Sequence, residues 1–152
     1  MNRIVFDAPV GPLGLEEEGG ALRRLYLPNQ PAEPAGEETP VLVRGRAELL
    51  EYFRGERRAF TVPLEPRGTP FQRRVWDALA AVPYGETVTY GALARQIGSP
   101  GAVRAVGQAN HRNPLPIFLP CHRVVGADGS LTGYAGGLDM KRFLLELEGA
   151  AY

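Results

Sequence analysis

The chain has 152 residues, 44% of them hydrophobic and 22% charged, with a formal net charge of zero. That length can bury a core as one domain or two small ones, and the charge balance argues against a uniformly basic nucleic-acid coat. A lone cysteine excludes an intramolecular disulfide and any multi-thiolate zinc site. No apolar run approaches the roughly 18 residues that a membrane helix needs, and none near the N-terminus resembles a signal peptide. A reducing, cytoplasmic setting is expected.

The first third reads as strands: Arg3 to Ala8, Gly14 to Glu17 and Ala21 to Leu27, with Gly19-Gly20 as a hairpin turn. Pro28 to Pro40 reads as an exposed loop. Val41 to Arg54 predicts a helix ended by Gly55, with Val43, Ala47, Leu50, Tyr52 and Phe53 as its apolar positions. Phe60 to Leu64 is a candidate further strand, and Glu65-Pro66-Arg67-Gly68 is the domain boundary. The expected domains are therefore 1–68 and 69–152.

After that boundary the pattern becomes helical. Thr69-Pro70 is an N-cap with proline at the first helical position, followed by a stripe of Phe71, Val75, Trp76, Leu79 and Val82. Thr89 caps a second helix carrying Tyr90, Leu93, Ala94 and Ile97. The tight turn Gly98-Ser99-Pro100 leads to a third through Ala102, Val103, Val106 and Ala109, a helix-turn-helix pattern. Pro114, Pro116 and Pro120 fix an extended segment up to Val125. Gly133-Tyr134-Ala135-Gly136-Gly137 is a glycine-rich loop. Asp139 is the expected cap of a last helix with Met140, Phe143, Leu144 and Leu147 on its apolar face.

Charge is unevenly spread. Residues 1–68 hold nine arginines against eleven acids, whereas 69–152 hold eight basic groups against six acids. No acid lies between Glu86 and Asp128, while Arg95, Arg104, His111, Arg112, His122 and Arg123 all do. Such a window suits a surface that faces a polyanion, and it coincides with the helix pair.

Cys121 lies within Pro120-Cys121-His122-Arg123-Val124. A free thiol is compatible with an inert core residue, a redox sensor or a nucleophile. Nucleophilic use needs a base, and His122 is adjacent. On an extended segment neighbouring side chains diverge, so a bridging water suits the pair better than direct contact. Glu148, four residues after Leu144, is either a helix-end surface charge or the partner of something internal.

The motif Pro120-Cys121-His122-Arg123-Val124 resembles the signature of the O6-alkylguanine-DNA alkyltransferases, the methylated-DNA–protein-cysteine methyltransferases. The resemblance extends through Gly85-Glu86-Thr87-Val88-Thr89-Tyr90, Arg104-Ala105-Val106-Gly107, Asn113-Pro114, Tyr134-Ala135-Gly136-Gly137-Leu138 and Leu144-Leu145 to Glu148-Gly149. It implies an α+β protein: a small, ribonuclease-H-like N-terminal domain, then a mostly helical, winged helix-turn-helix domain that binds duplex DNA and carries the chemistry. It also implies a function in which O6-alkylguanine is flipped out of the duplex and its alkyl group passes irreversibly to Cys121, once per molecule.

The resemblance assigns roles residue by residue. Cys121 is the nucleophile, His122 its base, Glu148 the partner of His122, and Tyr90 a proton donor to the departing guanine. Tyr134, Ala135, Gly136, Val124 and Pro116 line the base pocket, and Asn113 holds the turn before the thiol. Arg104 enters the base stack, Ala102 and Val103 allow close approach in the minor groove, and Arg112 and Arg123 contact DNA. No cofactor, metal, membrane or obligate protein partner is implied, and a monomer is the default expectation. Ala135 stands where many members carry serine, so backbone amides must serve the O6 atom. The N-terminal part lacks the cysteine and histidine with which some members bind zinc. Two alternatives are a non-catalytic alkyltransferase-like damage sensor, which would lack the cysteine, and a helix-turn-helix transcription regulator, which would form no covalent product.

Overall fold

The computed structural model covers residues 1–152 and is a mixed α/β fold with five α-helices and a small antiparallel sheet. It divides into two compact units, Met1–Arg67 and Gly68–Tyr152.

In the first unit, β1 (Asn2–Ala8), β2 (Gly11–Glu18) and β3 (Ala21–Tyr26) form an antiparallel meander in that order. Gly19 and Gly20 both have positive φ, 66° and 84°, which a two-residue primed turn requires. Helix α1 (Pro40–Phe53) packs on the sheet through Leu42, Gly45, Leu49, Tyr52 and Phe53. The expected stripe is displaced by one residue over most of its length: Val43 is 41% exposed, Ala47 is exposed and Leu50 half-buried, while Leu42 and Leu49 are fully buried. Only Tyr52 and Phe53 lie in the core as expected. Gly45 explains the close approach, since a Cβ there would sit 3.0 Å from Leu22 Cδ1 and 3.1 Å from Leu15 Cδ1. Phe60 to Leu64 is not a strand. Only Leu64 bridges to Leu22, because Pro63 has no N–H to continue a ladder.

In the second unit, α2 (Pro70–Ala80) starts with a full capping box, Thr69 accepting from Gln72 N while Gln72 accepts from Thr69 N. Trp76, 2% exposed, donates from Nε1 to Ala109 O at 2.8 Å and so fastens α2 to α4. Strand β4 (Val88–Thr89) runs into α3 (Tyr90–Gln96), whose first turn Thr89 caps by accepting from Ala92 N. Helix α4 (Val103–His111) follows after the turn at Gly98, and α3 and α4 pack together. A 3-10 turn (Cys121–Arg123) leads into β5 (Val124–Val125), which pairs in parallel with β4.

Helix α5 (Leu138–Leu147) is entered through Gly137, and Asp139 lies in its first turn without capping it. Its buried face is Met140, Lys141, Leu144 and Leu145. Phe143, an expected core residue, is 39% exposed. The burial of Lys141, the chain's only lysine, is the larger departure from expectation.

Candidate active site

Three backbone features aim the thiol. Asn113 donates from Nδ2 to Leu119 O at 2.7 Å and accepts from Leu115 N at 2.9 Å, closing the proline-rich loop on itself. Within that loop Ile117 is buried at φ 75°, a left-handed conformation that a β-branched residue adopts only under strain, at a cost of about 1–3 kcal/mol. The loop's buried apolar packing and Asn113's two hydrogen bonds hold it there. Cys121 then opens a 3-10 turn rather than continuing the extended chain, with its N–H donated to Leu119 O at 2.7 Å.

The turn breaks the alternation of an extended segment at Cys121 and His122. His122 is fully buried, and its Nε2 lies 2.7 Å from Glu148 Oε2. The Glu148 carboxylate also accepts from Arg123 Nε at 2.9 Å, Arg123 Nη2 at 3.0 Å and Gly85 N at 3.2 Å. An ionised carboxylate only accepts, so His122 carries its proton on Nε2 and presents a bare lone pair at Nδ1. That Nδ1 is buried without a hydrogen-bond partner. Burial pushes the His122 pKa down against the pull of Glu148, so the imidazole is neutral and ready to accept.

Cys121 is 5% exposed, and burial pushes its thiol up to about 11. A hydrogen bond from Asn113 and the charge of Lys141 oppose that rise. Folded protein at pH 9 should therefore label with iodoacetamide at least about fiftyfold more slowly than urea-unfolded protein, since thiolate is the reacting form. Equal labelling rates in the two states would contradict a protected thiol.

Glu148 is thus internal, not a helix-end surface charge. Arg123 does not fit the DNA contact that the resemblance implies: it is 6% exposed and its guanidinium is taken up by Glu148 and by Val82 O at 2.6 Å. An arginine among basic residues reads as a phosphate contact until its acidic partner, 25 residues on, is placed beside it. Arg104 and Arg112 are exposed, Val103 is 41% exposed and Ala102 is half-buried, all at or beside α4. Val124, Pro116, Asn113 and Tyr134 are buried around the thiol's segment and the glycine-rich loop; Ala135 and Gly136 are half-buried. Tyr90, half-buried at the head of α3, has its Oη 2.8 Å from Thr132 Oγ1.

Two participants escaped sequence reasoning. Lys141 donates from Nζ to Val124 O at 2.6 Å and to Thr132 O at 3.0 Å, and burial pushes it down to about 8. Its position four residues before Leu145, on the helix that Glu148 caps, is the available signal. Thr132 had none, because its value depends on Tyr90 arriving from 42 residues away.

A buried imidazole held by a carboxylate, one residue after the chain's only thiol, which is itself buried, marks the candidate site. Comparison with known proteins makes the class specific. Residues 70–150 match the family model described as the DNA binding domain of 6-O-methylguanine DNA methyltransferase. The constitutive methylated-DNA–protein-cysteine methyltransferase of Bacillus subtilis is 47% identical over 155 residues, covering 96% of this chain and 94% of that protein. The Mycobacterium tuberculosis methylated-DNA–protein-cysteine methyltransferase is 52% identical over 146 residues, covering 93% and 88%. The crystal structure of Mycobacterium tuberculosis OGT in complex with DNA superposes with a TM-score of 0.88 at 49% identity, over 96% of this chain and 92% of that one. The chain belongs to the methylated-DNA–protein-cysteine methyltransferase family.

Proposed function

We propose that this protein repairs O6-alkylguanine in duplex DNA by moving the alkyl group to its own Cys121. The observation that carries the reading is the buried His122–Glu148 pair, with His122 Nδ1 left unpartnered, directly after the only thiol in the chain. The thiol gives its proton to His122 Nδ1, directly or through one water, and Glu148 stabilises the imidazolium. Sulfur bonds to the alkyl carbon as the carbon–O6 bond breaks, and the electron pair passes into the guanine ring. Tyr90 supplies a proton to a ring nitrogen of the departing base. On balance the thiol's hydrogen ends on guanine and a thioether remains on the protein.

Moving a proton from a thiol pushed up to about 11 to an imidazole held below its ordinary value is uphill. Capture of the sulfur by carbon must drive it, and donation from Tyr90 shares the load. No residue offers a route to cleave a thioether, so the protein is consumed.

Residues 69–152 would carry this chemistry on a winged helix-turn-helix, and 1–68 would form a separate ribonuclease-H-like domain. Exposed Arg104 fills the space of the flipped nucleotide, while Ala102 and Val103 permit close approach to the minor groove. Arg112 meets phosphate, and Arg123 is excluded from that role by its burial. Tyr134, Ala135, Gly136, Val124 and Pro116 enclose the base. The lone thiol suits the reducing cytoplasm.

Limiting protein mixed with a duplex carrying O6-methylguanine should remove one methyl per molecule and stop. Continued turnover would contradict the assignment. Arg104→Ala should slow repair in duplex about 10- to 100-fold yet change reaction with free O6-benzylguanine less than about twofold, because only the duplex needs a base extruded. Equal slowing of both would remove Arg104 from that step.

A further inference from the structure

Tyr90 and Thr132 approach from different elements, one heading α3 and the other in the loop between β5 and α5, and their hydroxyls meet at 2.8 Å. One hydroxyl must donate, and the choice decides what the other can still do. A phenol that donates to threonine has no proton left for a base in the pocket. A phenol that accepts from threonine keeps its own proton, and accepting polarises its O–H further.

The position of Thr132 is fixed independently of that contact. Lys141 Nζ, buried without solvent exposure, donates to both Val124 O and Thr132 O. Val124 lies three residues past Cys121 and pairs with Val88 in the strand that runs into Tyr90. Thr132 is therefore tied through its carbonyl to the nucleophile's strand and through its hydroxyl to the head of α3. Burying an ammonium is expensive, so an interior lysine spent on two backbone carbonyls marks a geometry that the fold keeps.

We propose that Thr132 is a positioning residue for alkyl transfer: its hydroxyl donates to Tyr90 Oη and turns the phenol proton toward the departing purine, while Lys141 anchors the Thr132 backbone. The inference rests on Tyr90 being the leaving-group donor. As sulfur bonds to the alkyl carbon and the carbon–O6 pair moves into the purine, Tyr90 passes its proton to a ring nitrogen. The hydrogen bond from Thr132 stabilises the phenolate so formed. The proton taken from the thiol by His122 then returns to the phenol through solvent.

The test compares Thr132→Val, Thr132→Ser, Tyr90→Phe and the Tyr90→Phe/Thr132→Val double variant with two electrophiles. O6-benzylguanine needs a proton on its leaving group; iodoacetamide, used at pH 9, releases iodide and needs none. Thr132→Val should slow benzyl transfer about tenfold, the loss of one hydrogen bond to a charged partner. Thr132→Ser should return it to within about twofold. Iodoacetamide labelling should be unchanged in both, and the double variant should be no slower than Tyr90→Phe alone, as two members of one relay require. Wild-type benzyl transfer by Thr132→Val beside a slow Tyr90→Phe would overturn the proposal and leave the Tyr90 reading intact. Thr132→Val slowing both electrophiles alike would also overturn it, as a packing defect. Tyr90→Phe reacting at the wild-type rate would sink the donor reading and this inference together.

Discussion

Glu148→Gln is expected to lower the melting temperature by about 10–20 °C and to slow alkyl transfer about 100-fold. The carboxylate accepts from His122 Nε2, from Arg123 Nε and Nη2 and from Gly85 N, with no exposed side-chain area. An amide keeps the shape but loses the charge, leaving the Arg123 guanidinium buried opposite a neutral group. Breaking a buried pair from one side costs about 3–5 kcal/mol, which sets the thermal shift. The rate falls for a different reason. Without the anion the imidazolium formed at His122 has no stabilising partner, and the orienting carboxylate of a catalytic histidine has effects of this size or larger. Melting curves and single-turnover rates separate the two effects. Glu146→Gln, on the exposed face of the same helix, should stay within about 0.5 kcal/mol. A Glu148→Gln protein as stable and active as the parent would mean that the buried ion cluster is idle.

Cys121→Ser is expected to abolish transfer while leaving affinity for a duplex with O6-methylguanine within about twofold. Serine matches the side chain in size and disturbs none of the exposed groups beside α4. Its hydroxyl is far harder to ionise than a thiol, and a neutral imidazole does not bridge that gap. The variant should hold the damaged duplex without repairing it, as read by fluorescence anisotropy alongside methyl retention. Residual transfer would require a second acceptor, and the chain has no other thiol.

Where local chemistry decides structure, the sequence was readable. Thr69 and Thr89 cap helices because a hydroxyl satisfies open N–H groups two or three residues on, and Gly19-Gly20 turns a hairpin for a similarly local reason. The thiol and its histidine neighbour were legible for what they are chemically. Helix stripes were harder: at Val43 and Phe143 an apolar residue beside the buried face reads much like one within it. The charged interior was the least accessible. Arg123 faces Val82 and Glu148, and Lys141 faces Val124 and Thr132, so each burial rests on partners that only the fold assembles. Glu148 was ambiguous from its helix position alone, and the resemblance to the family, rather than periodicity, pointed it inward.

The most direct test of the account is the mass of the protein after reaction with a duplex carrying O6-methylguanine, followed by fragmentation of the peptide that spans Pro120 to Val124. The expected result is one methyl group per molecule, located on the Cys121 sulfur, with unmodified guanine in the DNA. Restored guanine beside protein of unchanged mass, or a methyl on any other residue, would contradict it.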